Sequence, residues 1–372
     1  MTAGPSSSNS ERHSAIDTAR AVVRQAIHDR VFPAAVAEVG GAGGPLWREA
    51  FGRLSFESEA EPATDRTIFD LASLTKPIAT ASLAVQLVSK GAFALDDPLT
   101  SFFPEWCGED RDAATVRDVL EHASGLGARL VDQPPEGRRE FEHEICRSRL
   151  EYAPRQRSVY SDLGFILLAF VIEDRGRASL AAQFDRLMAG LEPETAGTAD
   201  ALTFAVALKE RARTAPTWPM DEDRRRGRTL TAEVHDNYAA ALGGAAGHAG
   251  LFGTAPAVGA FARTMLRSAR GDESVPAALA PSLVLPMIRK GRVPRSSRAL
   301  GWDTMLPTSS CGALLSPVAF GHTGFTGTSV WIDPVLNRYF VLLTNRACRG
   351  GGTPDDMQRV RRRFHDALAT LD

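Results

Sequence analysis

The sequence predicts a mixed α/β protein of the α+β type. An antiparallel β-sheet is flanked by N- and C-terminal helices, and a largely helical domain is inserted between its strands. Three observations predict this. Hairpin signals lie near both ends of the chain, no β-α-β alternation joins them, and the stretch between reads as helical pieces and long loops. With 372 residues the chain can bury a large core without a disulfide framework or a structural metal.

Residues 1–14 carry no apolar run, so they read as a disordered tail and not as a secretory signal. Ile16–Arg30 has helical apolar spacing and is the expected opening helix. Ala34–Val39 and Pro45–Phe51 flank GGAGG, a hairpin signal. Leu74–Lys90 is a second amphipathic helix, closed by Gly91. Ala114–His122 and Asp162–Glu173 are helices of the middle region, whereas Asp221–Arg228 and Arg289–Arg298 read as solvated loops. Gly327–Asp333 and Arg338–Thr344 are β-branched and aromatic strands on either side of Pro334–Asn337, and Pro354–Leu371 is the closing helix. Residues 15–95 and 299–372 thus form one discontinuous sheet domain, 96–298 the helical insertion, with the active site expected at their interface.

Composition excludes several classes. A formal net charge of −2 gives no overall field for a nucleic acid or an anionic membrane. The longest apolar run, Phe165–Ile172, is too short to span a bilayer. Cys107, Cys146, Cys311 and Cys348 form no C-x-x-C pair, so four reduced thiols in a cytoplasmic protein are expected. Only four of the 43 basic residues are lysines: Lys76, Lys90, Lys209 and Lys290. Arginine does not release a proton near neutral pH, so these four are the only candidates for a basic amine.

One of the four follows a serine by three residues. Ser73-Leu-Thr-Lys76 lies at a helix start, where residues i and i+3 share a face. A serine hydroxyl needs a base before it attacks, and a lysine amine with a lowered pKa is one such base. About 0.3 such pairs are expected by chance in a chain of this composition, so the motif gains weight only from company. Tyr160-Ser-Asp162 precedes an apolar helix and puts a phenol where it would carry protons. His322-Thr-Gly324-Phe325 leads into the strand Thr326–Asp333, where a glycine admits a close substrate backbone and an N–H would meet an oxyanion. His235, Asp236 and His248 offer a competing metal-hydrolase set, and His248 lies on a glycine-rich loop before Thr254, the expected N-cap of the next helix.

Ser73-Leu-Thr-Lys76, Tyr160-Ser-Asp162 and His322-Thr-Gly324, in that order, resemble the three motifs of the penicillin-recognising serine hydrolases. The branch most similar holds class C β-lactamases, D-Ala-D-Ala carboxypeptidases and related esterases. FDLASLTKPIAT, LEHASGL, YSDLGFILL, GHAGLFGTA and GHTGFTG also look like segments of that group, and the likeness runs from about Val31 to Arg346. The resemblance implies that Ser73 becomes acylated, that Lys76 is the base or holds Tyr160 in its active ionisation state, and that Tyr160 passes protons. It implies an oxyanion hole from the backbone N–H groups of Ser73 and Phe325, with Asp162, His322, Thr323, Gly324 and His248 at the substrate. Two positions depart from the common pattern. His322 stands where β-lactamases carry Lys, and Asp162 replaces Asn, so it either contacts substrate as an acceptor only or serves as a helix N-cap. An ionised Asp162 counts against efficient β-lactam hydrolysis, whereas carboxypeptidases and esterases of the group both tolerate His at position 322. With no secretory signal seen, the expectation is an esterase acting on a small acyl substrate, with no cofactor and no metal, before a carboxypeptidase or a weak β-lactamase. A non-catalytic binding protein on the same fold is the remaining alternative.

Overall fold

A computed structural model describes residues 6–108, 110–130, 134–191, 202–223 and 225–371, with side chains from residue 13 onward. Helix α1 (Ser6–His28) opens the chain and the hairpin β1 (Ala34–Gly41) and β2 (Gly44–Gly52) follows. A short strand β3 (Phe69–Asp70) precedes α2 (Ser82–Ser89). The middle holds α3 (Val116–Leu120), α4 (Gly137–Arg147), α5 (Asp162–Gly176), α6 (Leu180–Ala189) and α7 (Asn237–Ala241). Then come β4 (Phe252–Gly253), α8 (Ala255–Ala269) and α9 (Pro281–Ile288). Strands β5 (Asp303–Thr304), β6 (Phe320–Thr323), β7 (Ser329–Asp333) and β8 (Arg338–Thr344) and helix α10 (Pro354–Ala369) complete it.

The sheet runs β2-β1-β8-β7-β6-β5 and every pairing in it is antiparallel. Strand β1 is the join between the chain's two ends, with Ala35 opposite Thr344 and Val39 opposite Phe340. All eight of its residues are buried, because helices cover both faces. Side chains alternate between two cores with period two. Ala35, Ala37 and Val39 pack with Trp331, Phe340 and Leu342 against α1 and against Met357, Val360, Phe364 and Leu368 of α10. Val36, Val330, Ile332, Val341 and Leu343 enter the larger core with Phe261 and Met265 of α8. That core continues into the helical side around α5, which is buried from Leu163 to Ile172 and therefore apolar all round. Strand β3 pairs with β4 outside the main sheet, tying the segment before Ser73 to the loop after His248.

Both hairpins and the antiparallel sheet match the sequence reading, with four differences. Helix α1 begins at Ser6, inside the segment read as a tail, while residues 1–5 lie outside the described residues. The helix read over Leu74–Lys90 is composite. Ala72–Leu74 forms a 3₁₀ turn, Lys76–Ala81 a π-helix, and only Ser82–Ser89 is α-helical. Pro77 has no N–H to give and widens the coil at this point. The strand expected from Thr326 starts at Ser329, because Gly324–Thr328 makes a tight turn closed by Gly324 N–H donating to the Thr328 carbonyl at 2.8 Å. The Asp221–Arg228 loop is not fully solvated either. Arg226 pairs with buried Asp223 at 2.6 Å and donates to the carbonyls of Val234 and His235, while residue 224 lies outside the described set.

No helix among the described residues is long and apolar enough to cross a membrane. All four cysteines are free thiols. One polar cluster crosses the sheet: buried Glu38 accepts from Arg48 Nε at 2.6 Å and from the Tyr339 hydroxyl at 2.8 Å. Gly259 of α8 makes room for it, since a Cβ there would lie 2.0 Å from Glu38 Oε1. Replacing a helical glycine by alanine normally gains about 1 kcal/mol. Gly259→Ala is expected to do the reverse, lowering stability by roughly 1–3 kcal/mol in urea denaturation, because the carboxylate has nowhere to retreat.

Candidate active site

Ser73 sits at a strained corner. Strand β3 ends at Asp70, and Ala72 turns the chain with φ of +49°, a region costly for a residue with a Cβ. The Asp70 carboxylate holds the corner, accepting from Ala72 N–H at 2.8 Å and from His235 N–H at 2.6 Å. Beyond Ser73 the buried Lys76 side chain runs back toward it. Lys76 Nζ donates to Ser73 Oγ at 3.0 Å, to Asp162 Oδ1 at 2.7 Å and to the His248 carbonyl at 3.1 Å. Three N–H bonds thus meet three acceptors. Burial pulls this ammonium down, but Asp162 and Tyr160 outweigh it and hold it above the ordinary lysine value.

Asp162 is the first residue of α5, and the cap of that helix is Ser161, whose hydroxyl accepts from Gly164 N–H. The N-cap reading of Asp162 is thereby corrected. Its second oxygen accepts from Arg129 at 2.9 Å, and the same Arg129 nitrogen donates to Asp236 at 2.8 Å. Asp236 in turn bonds His248 Nε2 at 2.7 Å and caps α7. A chain of alternating charge runs from Lys76 through Asp162 and Arg129 to Asp236. Burial pushes both carboxylates up, but Lys76 beside Asp162 and His248 beside Asp236 bring them below their usual range.

This arrangement also decides the metal reading. Asp236 and His248 come together with Asp162, their ligand atoms within 4.8 Å, but His235 is not among them. Its ring stacks on Phe325 with centroids 5.3 Å apart. Lys76 and Arg129 already neutralise the two carboxylates, so the donor set does not suit a cation. His248 reaches the site through its carbonyl, since its ring is buried against Asp236.

Tyr160 lies under the Lys76 ammonium, 4.7 Å from its ring centroid, with His122 stacked at 4.7 Å and the Arg298 guanidinium at 5.2 Å. Burial raises its phenol above the ordinary value, and the Lys76 charge opposes that rise. His322 is buried 6.0 Å from Tyr160, and its Nδ1 bonds the Thr323 carbonyl at 2.8 Å. Burial first, then Arg298 and Lys76, push its imidazole well down, so His322 is neutral at physiological pH. Arg298 belongs to the segment read as a solvated loop, yet it lines the cleft with Thr323.

Gly324 lines the cleft and has a second role beside the one expected. A Cβ there would lie 2.5 Å from the Leu71 carbonyl and 3.2 Å from Ala72 Cβ, so the glycine admits the protein's own Ser73 corner. Thr326 and Thr328 clamp this contact, donating to the Asp70 carbonyl at 2.7 Å and the Leu71 carbonyl at 3.0 Å. Ser73 and Phe325 both line the cleft beside this contact. Among the described residues neither the Ser73 nor the Phe325 backbone N–H is paired with a protein acceptor. Around them is a cleft of about 810 Å³, walled by Trp218, Met220, Phe325 and Met357. Arg129, Arg298, Asp70 and His122 were not singled out in the sequence, and no spacing among them marks them as neighbours.

Comparison with known proteins identifies the family and the fold. The family model described as Beta-lactamase matches residues 19–362. An Escherichia coli (strain K12) protein, provisionally named a D-alanyl-D-alanine carboxypeptidase, is 29% identical over 76% of this chain and 70% of its own. Among solved structures, EstCE1, titled a hydrolase with promiscuous acyltransferase activity, superposes with a TM-score of 0.73 at 18% identity, covering 96% of this chain and 99% of its own. A class C β-lactamase from Rhodobacter sphaeroides gives 0.71 at 20% identity over 95% and 98%.

The corner at Ser73 carries a pH dependence. Burial pushes the Asp70 carboxyl up to about 6, although the His235 and Ala72 N–H groups favour its ionised form. Protonation leaves one of those N–H groups facing an O–H. Labelling of Ser73 by a fluorophosphonate probe is therefore expected to slow as pH falls through about 6, and Asp70→Asn is expected to remove that step. Stability runs the other way. The folded state holds this proton more tightly than the unfolded chain, so Asp70 favours folding more as pH drops from 6 to 4.

Proposed function

The chain belongs to the Beta-lactamase family, and on that premise we propose that it is a serine hydrolase that forms an acyl-enzyme on Ser73 and takes small acyl esters. The observation that carries the reading is the state of Lys76: an ammonium with its three N–H bonds spent on Ser73, Asp162 and the His248 carbonyl. Such a group holds charge and does not accept a proton. The base is then Tyr160, acting as the phenolate that Lys76 and Arg298 stabilise.

Ser73 Oγ bonds to the acyl carbon while its proton passes to the Tyr160 phenolate. The carbonyl π pair moves onto oxygen, between the N–H groups of Ser73 and Phe325. Collapse expels the alkoxide, which takes the proton back from Tyr160. Water then repeats the sequence on the acyl-enzyme and releases the acid and free Ser73.

Ester preference follows from the two departures. The Asp162 oxygens are occupied by Lys76 and Arg129, so nothing at that position donates to an amide carbonyl of a peptide or β-lactam side chain. Neutral His322 supplies no charge for a substrate carboxylate. The apolar wall of Trp218, Met220, Phe325 and Met357 suits an acyl chain. Free thiols throughout support a reducing, cytoplasmic setting.

Turnover of p-nitrophenyl butyrate is expected to exceed that of nitrocefin and of a D-Ala-D-Ala peptide by roughly a hundredfold or more in kcat/KM, and Ser73→Ala is expected to abolish it. Equal or faster acylation by the β-lactam would instead favour the carboxypeptidase or β-lactamase reading. Because the phenol is raised above its ordinary value, log kcat/KM is expected to climb with a slope near one between pH 7 and 9. Tyr160→Phe is expected to cost roughly a thousandfold. Lys76→Arg keeps the charge, but the larger guanidinium does not fit a site with no exposed surface. A comparable loss is expected there by the same assay.

A further inference from the structure

Two arginines that line the cleft, Arg346 and Arg361, have no paired carboxylate among the described residues. Arg361, on the second turn of α10, is buried, and among the described residues no carboxylate pairs with it. One of its terminal nitrogens donates to the Gly324 carbonyl at 2.7 Å and to the Thr328 carbonyl at 2.9 Å, while its Nε has no partner. Burial pulls its guanidinium down to about 9, and the nearby charge of Arg346 adds to the fall. Arg346 is itself mostly buried, stacks 4.6 Å from the Phe325 ring centroid and donates to the Phe325 carbonyl through two nitrogens. Burying a cation against another cation is costly, and a fold that only needed to hold this turn has cheaper donors available.

The position of the bond shows what the charge does. The Gly324 carbonyl and the Phe325 N–H belong to the same peptide unit. A charged donor on the oxygen draws electron density from the nitrogen and makes its N–H a stronger donor, in a site where water does not screen the effect. We propose that Arg361 is a positioning residue of the oxyanion hole, polarising the Gly324–Phe325 peptide so that the Phe325 N–H binds the anion that forms on the substrate carbonyl. The inference rests on the acyl-enzyme reading above. Arg361 has no hydrogen bond with Ser73, and in this proposal it acts through that peptide. Its charge lacks a permanent counter-ion because the counter-ion appears only as the tetrahedral intermediate forms.

The test uses p-nitrophenyl butyrate turnover and affinity for phenylboronic acid, which adds to the serine as a tetrahedral anion. Wild-type adduct formation on Ser73 checks the underlying reading by itself, and failure there overturns that reading and not the role of Arg361. Given a wild-type adduct, Arg361→Met is expected to lower kcat roughly tenfold to a hundredfold with KM changed by less than about threefold, and to weaken the boronate by a similar factor. Arg361→Lys, which keeps the cation, is expected to fall between wild type and Arg361→Gln, which keeps only a neutral donor. Guanidinium ion added to Arg361→Ala is expected to restore part of the rate. An Arg361→Met enzyme with wild-type kcat and boronate affinity overturns the proposal. So does a loss seen only in KM, or a Gln variant equal to wild type. If the Met variant does not fold, the Lys and Gln pair decides by the same criteria.

Discussion

Lys76 keeps a full positive charge with none of its surface in water, and much of the site is arranged around that fact. An isolated buried ammonium is strongly disfavoured, so its partners have to come from several parts of the chain. Asp162 supplies the opposing charge at the first residue of α5, and the His248 carbonyl reaches in from the loop before β4. Asp162 is then itself a buried charge, which brings in Arg129, which brings in Asp236 and His248. Removing one member would leave its neighbour unpaired in a low-dielectric interior, so the network is expected to fail as a unit. It also fixes where the Ser73 hydroxyl points, because Ser73 Oγ is the third acceptor of the same ammonium.

The second constraint is the closure of the chain's two ends into one sheet. Pairing of β1 with β8 brings the N-terminal segment and the C-terminal strands into one body. The threonine hydroxyls of 326 and 328 then tie the turn after β6 to the corner before Ser73. Gly324 is the residue that lets these two backbones approach. The strain at Ala72 is sustained by Asp70 and by this clamp together. The Ser73 and Phe325 N–H groups are therefore set by elements more than two hundred residues apart, before any ligand arrives, which is the condition for electrostatic preorganisation.

Charge in the cleft is distributed unevenly. Beside Tyr160, the imidazoles of His122 and His322 are held neutral by burial and by neighbouring cations, while Lys76 and Arg298 remain charged. Beside Phe325, Arg346 and Arg361 carry charge, and among the described residues no carboxylate pairs with either. These cations face two places, the phenol oxygen, where Lys76 offsets part of the cost of burial, and the carbonyl oxygen of a bound acyl group. In the proposed acylation the first gives up its negative charge as it takes the serine proton and the second acquires it.

The amino-acid sequence by itself determined the hairpins, the antiparallel sheet and the three motif segments, because those signals are local. Alternating apolar residues around GGAGG define a hairpin wherever it lies, and Ser73 and Lys76 share a face because three residues separate them. The extent of α1, the π-helical turn after Ser73 and the start of β7 at Ser329 were less legible, since packing and the missing N–H of Pro77 adjust element ends. Tertiary structure alone decided the partners. Asp162 had two readings from sequence, and which one holds depends on Lys76 and Arg129 lying within hydrogen-bond reach. Arg298 belonged to a basic loop in the sequence and lies over Tyr160 in the fold. Arg361 was one of several arginines on an amphipathic helix, and nothing in its spacing says that its guanidinium meets the Gly324 carbonyl. Charges act over ångströms of space and not over positions along the chain, so their roles were settled only when the fold set those distances.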